Sequence, residues 1–489
     1  MTAPGGALGV GTVLRRYATT VVRRYPLVVT VLLVAGGILT GAVLSGALPA
    51  DAAQHIAPTV AICLVFAVFW VVLQHRIGGA GFGELGFVYM GLLLAYTVFP
   101  ALAFLGAGIY EGGPLGALLP EASALRTHLW RHVLFAAGVA AGYLLLRGSG
   151  PEVPTTIEDS GYRDGRALLV AAVAAAVLVI SLRVMSAPVE TYWEHYQRYD
   201  HLPWLLRKIS SLFIRMSLGL YCVLLVLLFR NYRKYRYIIP VVVAGIAAYE
   251  IVYSFGARIQ ALIVVLQAAC LYHFMVRRIS VRGGVAAIAV LVVLFSVVEI
   301  VRTLDFGVAS ASDVLAEEGV QPAGELTSVF FPGFHLYAER AAGTLPPRAW
   351  PMFFHDLISL FTFGDFTRFN PMSWYHANYF PEADVSPFTL GPIADSALWG
   401  GEPDLLMRGL INGAFFAVIM RWFLRYGGRW WGMTVYAYCF ATCILTLKYS
   451  VFLHLTLIEK NLLPVLVLVY AARVLRFSRS APVPAANSA

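Results

Sequence analysis

Charge is what this sequence has least of. Asp, Glu, Lys and Arg make up only 13% of its 489 residues, against about one quarter in soluble globular domains, while 59% are hydrophobic. This balance excludes an ordinary soluble protein and indicates a polytopic membrane protein built as one integral domain. The net charge of +9 does not point to a nucleic-acid partner, because the basic residues form short clusters between apolar runs.

Several kinds of chemistry are missing as well. The five cysteines all fall inside apolar runs, which argues against a disulfide framework or a zinc site. The chain has no GxxxxGK[ST], HExxH or GxSxG pattern, so an ATPase motor, a zincin protease and a serine-elbow hydrolase are not expected. It shows no internal repeat and no matched pair of Gly/Pro-broken helices, the pattern typical of inverted-repeat transporters. Neither a metal nor a cofactor is expected.

Long apolar runs dominate what is present. About twelve segments meet the requirement of roughly 20 mostly apolar residues for crossing a membrane. They lie near residues 26–48, 57–74, 86–106, 129–147, 167–187, 209–229, 237–255, 258–276, 284–302, 405–424, 430–452 and 460–476. The predicted fold class is therefore all-α, with about 12 transmembrane helices. Runs rich in Gly and Ala, such as AAGVAAGY, predict close helix packing.

The distribution of basic residues predicts the orientation of these segments. Alternate connections hold 21 of the 36 Lys and Arg residues, and the opposite connections hold nine, spread over longer loops. By the positive-inside rule both termini are cytoplasmic and the long loop is extracytoplasmic. The predicted organisation is spans one to nine in 1–302, an outer loop with short interfacial helices in 303–404, spans ten to twelve in 405–476 and a cytoplasmic tail in 477–489.

The loop 303–404 is the long polar segment of the chain. It holds 13 of the 27 acidic residues, many aromatic residues and only three basic ones. If the protein does chemistry, we expect it in this loop or where the loop meets the membrane.

Ionisable residues inside the predicted spans lie mostly within about two helical turns of the outer surface. Such residues are costly in a membrane and are functional by default. A one-sided set of cations suits an anionic group at the outer leaflet, such as a lipid diphosphate, because the planar fork of arginine binds phosphate oxygens in pairs. The predicted diphosphate ligands are Arg215, Arg258 and Arg302, with Lys448 beside them. The alternative is snorkelling to the interface, for which Arg258 and Arg408 are the clearest cases.

The loop offers three candidate catalytic residues. In a helix, His335 and Glu339 share a face at i,i+4 spacing, so that one of them is a general base and Arg340 a clamp on the diphosphate. The alternative is an interfacial amphipathic helix with an internal salt bridge. Asp395 follows a Gly-Pro turn and is either a base or a ligand for a hydroxyl group, or a helix N-cap.

Aromatic residues in the loop are candidate ligand contacts. His376, Trp374 and Tyr375 lie together in SWYHANYF, and Trp399 follows Asp395. They are either stacking platforms for the ring of a ligand or part of an interfacial aromatic belt.

Together these features resemble the bacterial O-antigen polymerase (Wzy-type) and O-antigen ligase superfamily. The topology matches over nearly the whole chain, and short motifs add to it. SFGARIQALIVVL is similar to the family's Ser-Arg-Gly-Ala-Leu-like helix start, with Arg258 at the arginine. SPFTLGPIADSALWGG is similar to the glycine/serine-acidic-glycine segment, with Asp395 at the acidic position, and His335 resembles the loop histidine of the ligases. Ala257 and Ile259 replace the family's Ser and Gly, and the ligase-type His-Asn pattern is absent, which favours polymerase over ligase.

The resemblance implies a metal-independent glycosyltransferase of the GT-C type. On this interpretation the hydroxyl bound by Asp395 belongs to a sugar, and the candidate sugar contacts are His376, Trp374, Tyr375 and Trp399. Such an enzyme joins undecaprenyl-diphosphate-linked repeat units at the outer face of the inner membrane, working with the bilayer and with chain-length regulator and flippase partners. The alternatives are an O-antigen ligase, another GT-C enzyme using a polyprenyl-phosphate sugar, a transporter of lipid-linked sugars, and a scaffold protein. A GT-C enzyme of the second kind usually carries an acidic residue in a substantial first outer loop, whereas here that loop is only ADAAQHI.

Overall fold

The computed structural model describes residues 55–77, 82–107, 122–148, 204–253, 258–280, 283, 324–355, 357–358, 370–381 and 389–477. Every regular element in these ranges is helical. The α-helices are α1 (Ile56–Ile77), α2 (Leu85–Ala107), α3 (Ala122–Arg147), α4 (Trp204–Arg230), α5 (Tyr232–Tyr235), α6 (Ile238–Tyr253), α7 (Arg258–Met275), α8 (Gly324–Ala342), α9 (Trp350–Phe353), α10 (Pro371–Tyr379), α11 (Pro392–Leu398), α12 (Glu402–Tyr426), α13 (Trp430–Thr442), α14 (Leu445–Lys448), α15 (Val451–Leu457) and α16 (Leu463–Phe477). A π-helical segment, Ile458–Leu462, joins the last two.

Three of these helices are long and apolar enough to cross a membrane, by length and composition: Ala57–Ile77, Ala124–Arg147 and Glu402–Tyr426. They are helices of a membrane-embedded protein, and they coincide with predicted spans two, four and ten. Helices also occupy the predicted spans near 86–106, 209–229, 237–255, 258–276 and 460–476. The predicted spans near 26–48, 167–187 and 284–302 lie outside the described residues.

The centre of the fold is the contact between α3 and α12, which run parallel. Two glycines on each helix, Gly138 and Gly142 facing Gly409 and Gly413, remove the side chains between them. A Cβ on Gly138 or Gly409 would lie 2.8 or 2.6 Å from a backbone carbonyl oxygen of the other helix, and one on Gly142 or Gly413 would lie closer still. This is the small-residue packing expected from AAGVAAGY, and that prediction is confirmed.

The C-terminal end of α3 is closed by charged side chains from three other segments. Arg147 donates to Glu84 at 2.7 and 3.3 Å, and Tyr143 donates to the same carboxylate at 2.5 Å. The ion pair is almost completely enclosed, with side-chain exposures of 2% and 5%. Arg76 and Arg421 donate to two of the last backbone carbonyls of α3. Three arginines from connections predicted to lie on one side of the membrane thus converge on one end of one helix.

A second group of helices packs beside this pair. α4 and α7 lie against α13, and the π-helical segment packs against α4. Gly219 on α4 permits this approach, because a Cβ there would lie 2.7 Å from the Asn461 carbonyl oxygen.

Predicted span eleven is not one helix. α13 ends at Thr442, and Tyr449 is extended, with φ −141° and ψ 171°. Thr442 and Thr446 donate side-chain hydrogen bonds to carbonyls three or four residues earlier, an interaction that bends helices. The single helix expected over 430–452 is thus corrected to three shorter ones, α13, α14 and α15.

Candidate functional site

Helix α8 carries the HLYAER segment and docks onto the bundle. It packs on α2, α3 and α11, so the predicted outer loop contributes part of the buried core. Phe330 and Phe334 form a small apolar cluster with Ala101, Leu125 and Leu129. Gly333 faces α3, where a Cβ would lie 3.1 Å from His128 Cε1. The docking fixes which face of α8 points inward, and His335 lies on that face.

His335 and Glu339 share one face of α8, as their spacing predicts. His335 is buried, and its Nδ1 lies 3.0 Å from the Tyr375 hydroxyl on α10. Its Nε2 lies 3.9 Å from Glu339 Oε1, and the Glu339 side chain is 28% exposed. Thr344 donates to the other Glu339 oxygen at 2.7 Å. The buried histidine thus stands behind a carboxylate that reaches solvent.

Burial controls the charge of His335. Desolvation lowers the pKa of His335 to about 4, and the nearby Glu339 carboxylate offsets only part of that shift. Burial also raises the pKa of Tyr375, so its hydroxyl keeps its proton. When that hydroxyl donates to Nδ1, the imidazole proton lies on Nε2, the atom facing Glu339. At neutral pH the imidazole is therefore uncharged and lies 3.9 Å from Glu339 Oε1, beyond hydrogen-bond distance, while Thr344 holds the carboxylate.

Asp395 lies on α11, a helix whose residues are all buried. Gly391 occupies the N-cap position, so the alternative that Asp395 is an N-cap is wrong. The Asp395 carboxylate instead pairs with Arg408 at 3.1 Å, and Arg408 also holds Asp404 at 2.9 Å. Arg408, expected to snorkel, therefore bridges two carboxylates on α11 and α12.

Two arginines hold the C-terminal end of α11. Arg340 donates from Nη1 to the carbonyls of Ala397 and Trp399, both at 2.8 Å. Arg348 donates to the carbonyl of Leu398. Cations suit this position because the last carbonyls of a helix have no partner within it and carry partial negative charge. Gly401, at φ +69°, leaves room for the Arg340 side chain, which a Cβ would approach to 3.3 Å.

Further polar contacts join α8, α11 and α3. The hydroxyls of Tyr337 and Ser396 lie 2.9 Å apart. The Arg131 guanidinium stacks over the Tyr337 ring at 3.9 Å and pairs with Glu402 at 3.3 Å. These contacts connect the HLYAER helix, the Asp395 helix and the central pair of helices into one site.

A pocket of about 640 Å³ opens beside this network. Its walls include Arg348, Trp350, Phe353, Trp399 and Asp404. The two tryptophan rings are stacked, with centroids 5.8 Å apart, and Phe353 meets Trp399 edge-on at 5.3 Å. Of the predicted sugar contacts, Trp399 lines this pocket.

The remaining predicted sugar contacts are on α10. Tyr375 is buried against His335, and Trp374 donates to the Pro347 carbonyl at 3.0 Å. His376 is partly buried on the same helix. α10 therefore contacts both His335 and the chain segment that borders the pocket.

The structure says less about the predicted diphosphate ligands. Arg215 and Arg258 lie on α4 and α7, and their side chains fall outside the description. Arg302 lies outside the described residues altogether. Lys448 is buried on α14, whose Leu447 carbonyl packs against Gly391 just before the Asp395 helix. Lys448 and Arg340 therefore lie near α11, and the roles of Arg215, Arg258 and Arg302 remain predictions.

Sequence reasoning missed several polar contacts. Glu84 was not singled out, and a buried histidine pair on α3, His128 and His132, was not noticed. Their Nε2 atoms lie 3.1 Å apart, and the Thr97 hydroxyl lies 2.9 Å from His132 Nδ1. An i,i+4 histidine pair inside an apolar helix is a readable signal. The partner of Glu84 is 63 residues away, and no local pattern predicts it.

No known protein family, curated protein or solved structure matches this chain. Among the described residues, no group of three or more His, Cys, Asp or Glu side chains is arranged to hold a metal ion. Function is therefore inferred from the geometry around α8 and α11.

Proposed function

We propose that this protein is a membrane glycosyltransferase that polymerises undecaprenyl-diphosphate-linked oligosaccharide repeat units at the outer face of the bacterial inner membrane. The observation that carries the proposal is the arrangement on α8. A partly exposed carboxylate, Glu339, is oriented by Thr344 and backed by a buried, neutral His335. A general base for a sugar hydroxyl needs this combination of access and orientation.

The proposed reaction forms one bond and breaks one. The acceptor hydroxyl oxygen attacks the anomeric carbon of the donor chain, and the bond from that carbon to the lipid diphosphate breaks. The base takes the hydroxyl proton, and the bonding electrons leave with the diphosphate. No metal is required when cationic side chains stabilise that developing charge.

The contacts around α8 and α11 support the following roles for the site residues. Glu339 is the base that touches the acceptor, because its side chain is partly exposed while His335 is enclosed. His335 and Tyr375 are positioning residues. Asp395 is held by Arg408 and is the second candidate for contact with a sugar hydroxyl. Arg340 fixes the end of α11, and the proposed diphosphate ligands remain Arg215, Arg258, Arg302, Arg340 and Lys448.

Incubation of the purified chain with a lipid-diphosphate-linked repeat unit tests the proposal. We expect a ladder of longer glycans that survives EDTA and collapses in the Arg258→Ala and Arg302→Ala variants. Transfer of a single chain to a lipid A-type acceptor without a ladder indicates the ligase alternative. Unchanged glycan length with the wild-type chain sinks the polymerase proposal.

One observation favours the transport alternative. The helix expected over 430–452 is interrupted at Tyr449, and transporters use broken helices to build midplane sites. A lipid-flipping assay in vesicles separates the two functions, because a transporter moves the lipid-linked sugar without changing its length. Flipping without elongation would replace the enzyme proposal.

A further inference from the structure

The pocket beside α11 has aromatic walls on more than one side. Trp350 stacks on Trp399 with an interplanar angle of 26°, and Phe353 stands at 81° to Trp399. The Arg348 guanidinium lies 5.7 Å from the Trp399 ring centroid. Flat apolar faces of this kind suit the C–H face of a pyranose ring, whose hydroxyl groups lie around its edge.

The same pocket carries one acidic and one basic side chain. Asp404 supplies an acceptor for sugar hydroxyls, and Arg348 supplies N–H donors. Few, fixed polar groups among apolar walls are typical of small-molecule sites, and about 640 Å³ lies within the range of such pockets.

The polar groups of the pocket are held in place from behind. Arg408 holds the Asp404 carboxylate, and the Leu398 carbonyl accepts from Arg348. Gly400 lets Asp404 approach, because a Cβ there would lie 2.6 Å from the Asp404 Cβ. A site whose donors and acceptors are fixed before binding loses less entropy when a ligand arrives.

We propose that this pocket is a subsite for a pyranose ring of the glycan, with the ring stacked on Trp350 or Trp399 and its hydroxyls bound by Asp404 and Arg348. The choice of a sugar as ligand rests on the proposed glycosyl transfer. Arg408 links the pocket to the catalytic region, since it holds both Asp404 in the wall and Asp395 on α11. A sugar ring in the pocket therefore lies near Asp395, one of the candidate catalytic residues.

The other occupant to consider is the lipid surface, because Trp350 is 72% exposed and interfacial tryptophans anchor proteins in membranes. The carboxylate in the wall argues against it. An acidic side chain gains nothing from acyl chains and is repelled by anionic headgroups, whereas it accepts hydrogen bonds from sugar hydroxyls.

Trp350→Ala is the test variant, since an indole that exposed contributes little to folding. The Trp350→Tyr variant restores a flat ring. Trp130→Ala is the matched control, because Trp130 is 43% exposed on α3 and does not line the pocket. Saturation-transfer NMR on the full chain in detergent measures binding of the methyl glycosides of glucose, galactose, mannose, rhamnose and N-acetylglucosamine. Vesicles containing brominated lipid report whether Trp350 enters the bilayer.

We expect at least one glycoside to bind the wild-type chain, and to bind Trp350→Ala roughly tenfold more weakly. The affinity should recover in Trp350→Tyr and stay unchanged in Trp130→Ala. No binding of any glycoside at tens of millimolar, or equal binding by Trp350→Ala, overturns the subsite. Bromolipid quenching that disappears in Trp350→Ala also overturns it in favour of membrane anchoring. Sugar binding without a glycan ladder keeps the subsite and contradicts polymerisation, whereas a ladder unaffected by Trp350→Ala contradicts the subsite alone.

Discussion

The α3–α12 pair holds charged residues in opposite ways at its two ends. At the C-terminal end, which we call the sealed end, Arg147 and Glu84 are 2% and 5% exposed, and the carboxylate receives a third hydrogen bond from Tyr143. The other end of the pair is the start of α12, where Glu402 meets Arg131 of α3; at this open end Arg408 and Asp395 are 17% and 11% exposed.

This difference separates structure from function. The ion pair between Arg147 and Glu84 is enclosed and out of reach of a substrate, so the sealed end is a structural tie. The open end keeps partly exposed carboxylates beside an aromatic pocket. Charge alone therefore does not identify a site in this protein. A site is indicated where charged side chains are also accessible to a ligand.

The largest effect is expected from breaking the sealed pair. Arg147→Met leaves the Glu84 carboxylate buried without its cation, which costs about 3–5 kcal/mol of folding free energy. Thermal unfolding in detergent measures the loss. The double variant Glu84→Gln/Arg147→Met removes the stranded charge and should recover most of the stability; failure to recover would mean that the ion pair itself, rather than the stranded charge, dominates.

The open end should respond to pH through His335. Its pKa is about 4 in the folded chain and near 6.5 when unfolded, so the unfolded state binds more protons between these values. Stability is therefore complete above pH 6.5 and falls as the pH drops towards 4, by at most on the order of 3 kcal/mol. His335→Gln keeps a partner for Tyr375 and does not titrate. Unfolding curves from pH 7 to 4 should show a smaller loss in this variant, and parallel curves would contradict the assignment.

The glycine seam between the two ends should tolerate no side chain. Gly413→Ala places a methyl group against the Val139 carbonyl, and such overpacking costs about 1–3 kcal/mol. Gly91→Ala on α2 is the matched control, because nothing lies within 4 Å of the added Cβ. Thermal unfolding should separate the two substitutions clearly. Equal behaviour would show that α3 and α12 are not packed through these glycines.

The smallest effect is expected at the exposed pair of the open end. Glu402 is 57% exposed, so Glu402→Gln should cost less than about 1 kcal/mol despite its 3.3 Å contact with Arg131. A loss comparable to that of Arg147→Met would erase the contrast between the two ends.

Local patterns predicted those parts of the molecule that depend on local spacing. Apolar runs located the helices, the glycines of AAGVAAGY predicted tight packing, and HLYAER placed His335 and Glu339 on one face. Contacts between distant segments were not predictable in the same way. Glu84 meets Arg147 only because segments 63 residues apart pack together. Arg408 meets Asp395, 13 residues away, only because α11 and α12 fold against each other.

The break in predicted span eleven shows a different limit. The hydropathy of 430–452 is uniformly apolar. Threonine side chains that hydrogen-bond to backbone carbonyls of their own helix do not change this hydropathy. The pocket was also only partly predictable from the sequence, which pointed to Trp399 but not to Trp350, Arg348 or Asp404. Their meeting depends on how the α8–α9 connection folds against α11.

Glycan elongation by the purified chain in EDTA, compared among wild type, Glu339→Gln and Glu402→Gln, tests the central claim most directly. The two variants make the same substitution, one at the proposed base and one at a carboxylate to which no catalytic role is assigned. We predict a full ladder for wild type and Glu402→Gln, and at least roughly a hundredfold slower elongation for Glu339→Gln, the size expected when a general base is lost. A ladder of equal rate and length in Glu339→Gln would contradict the assignment of the active site to α8.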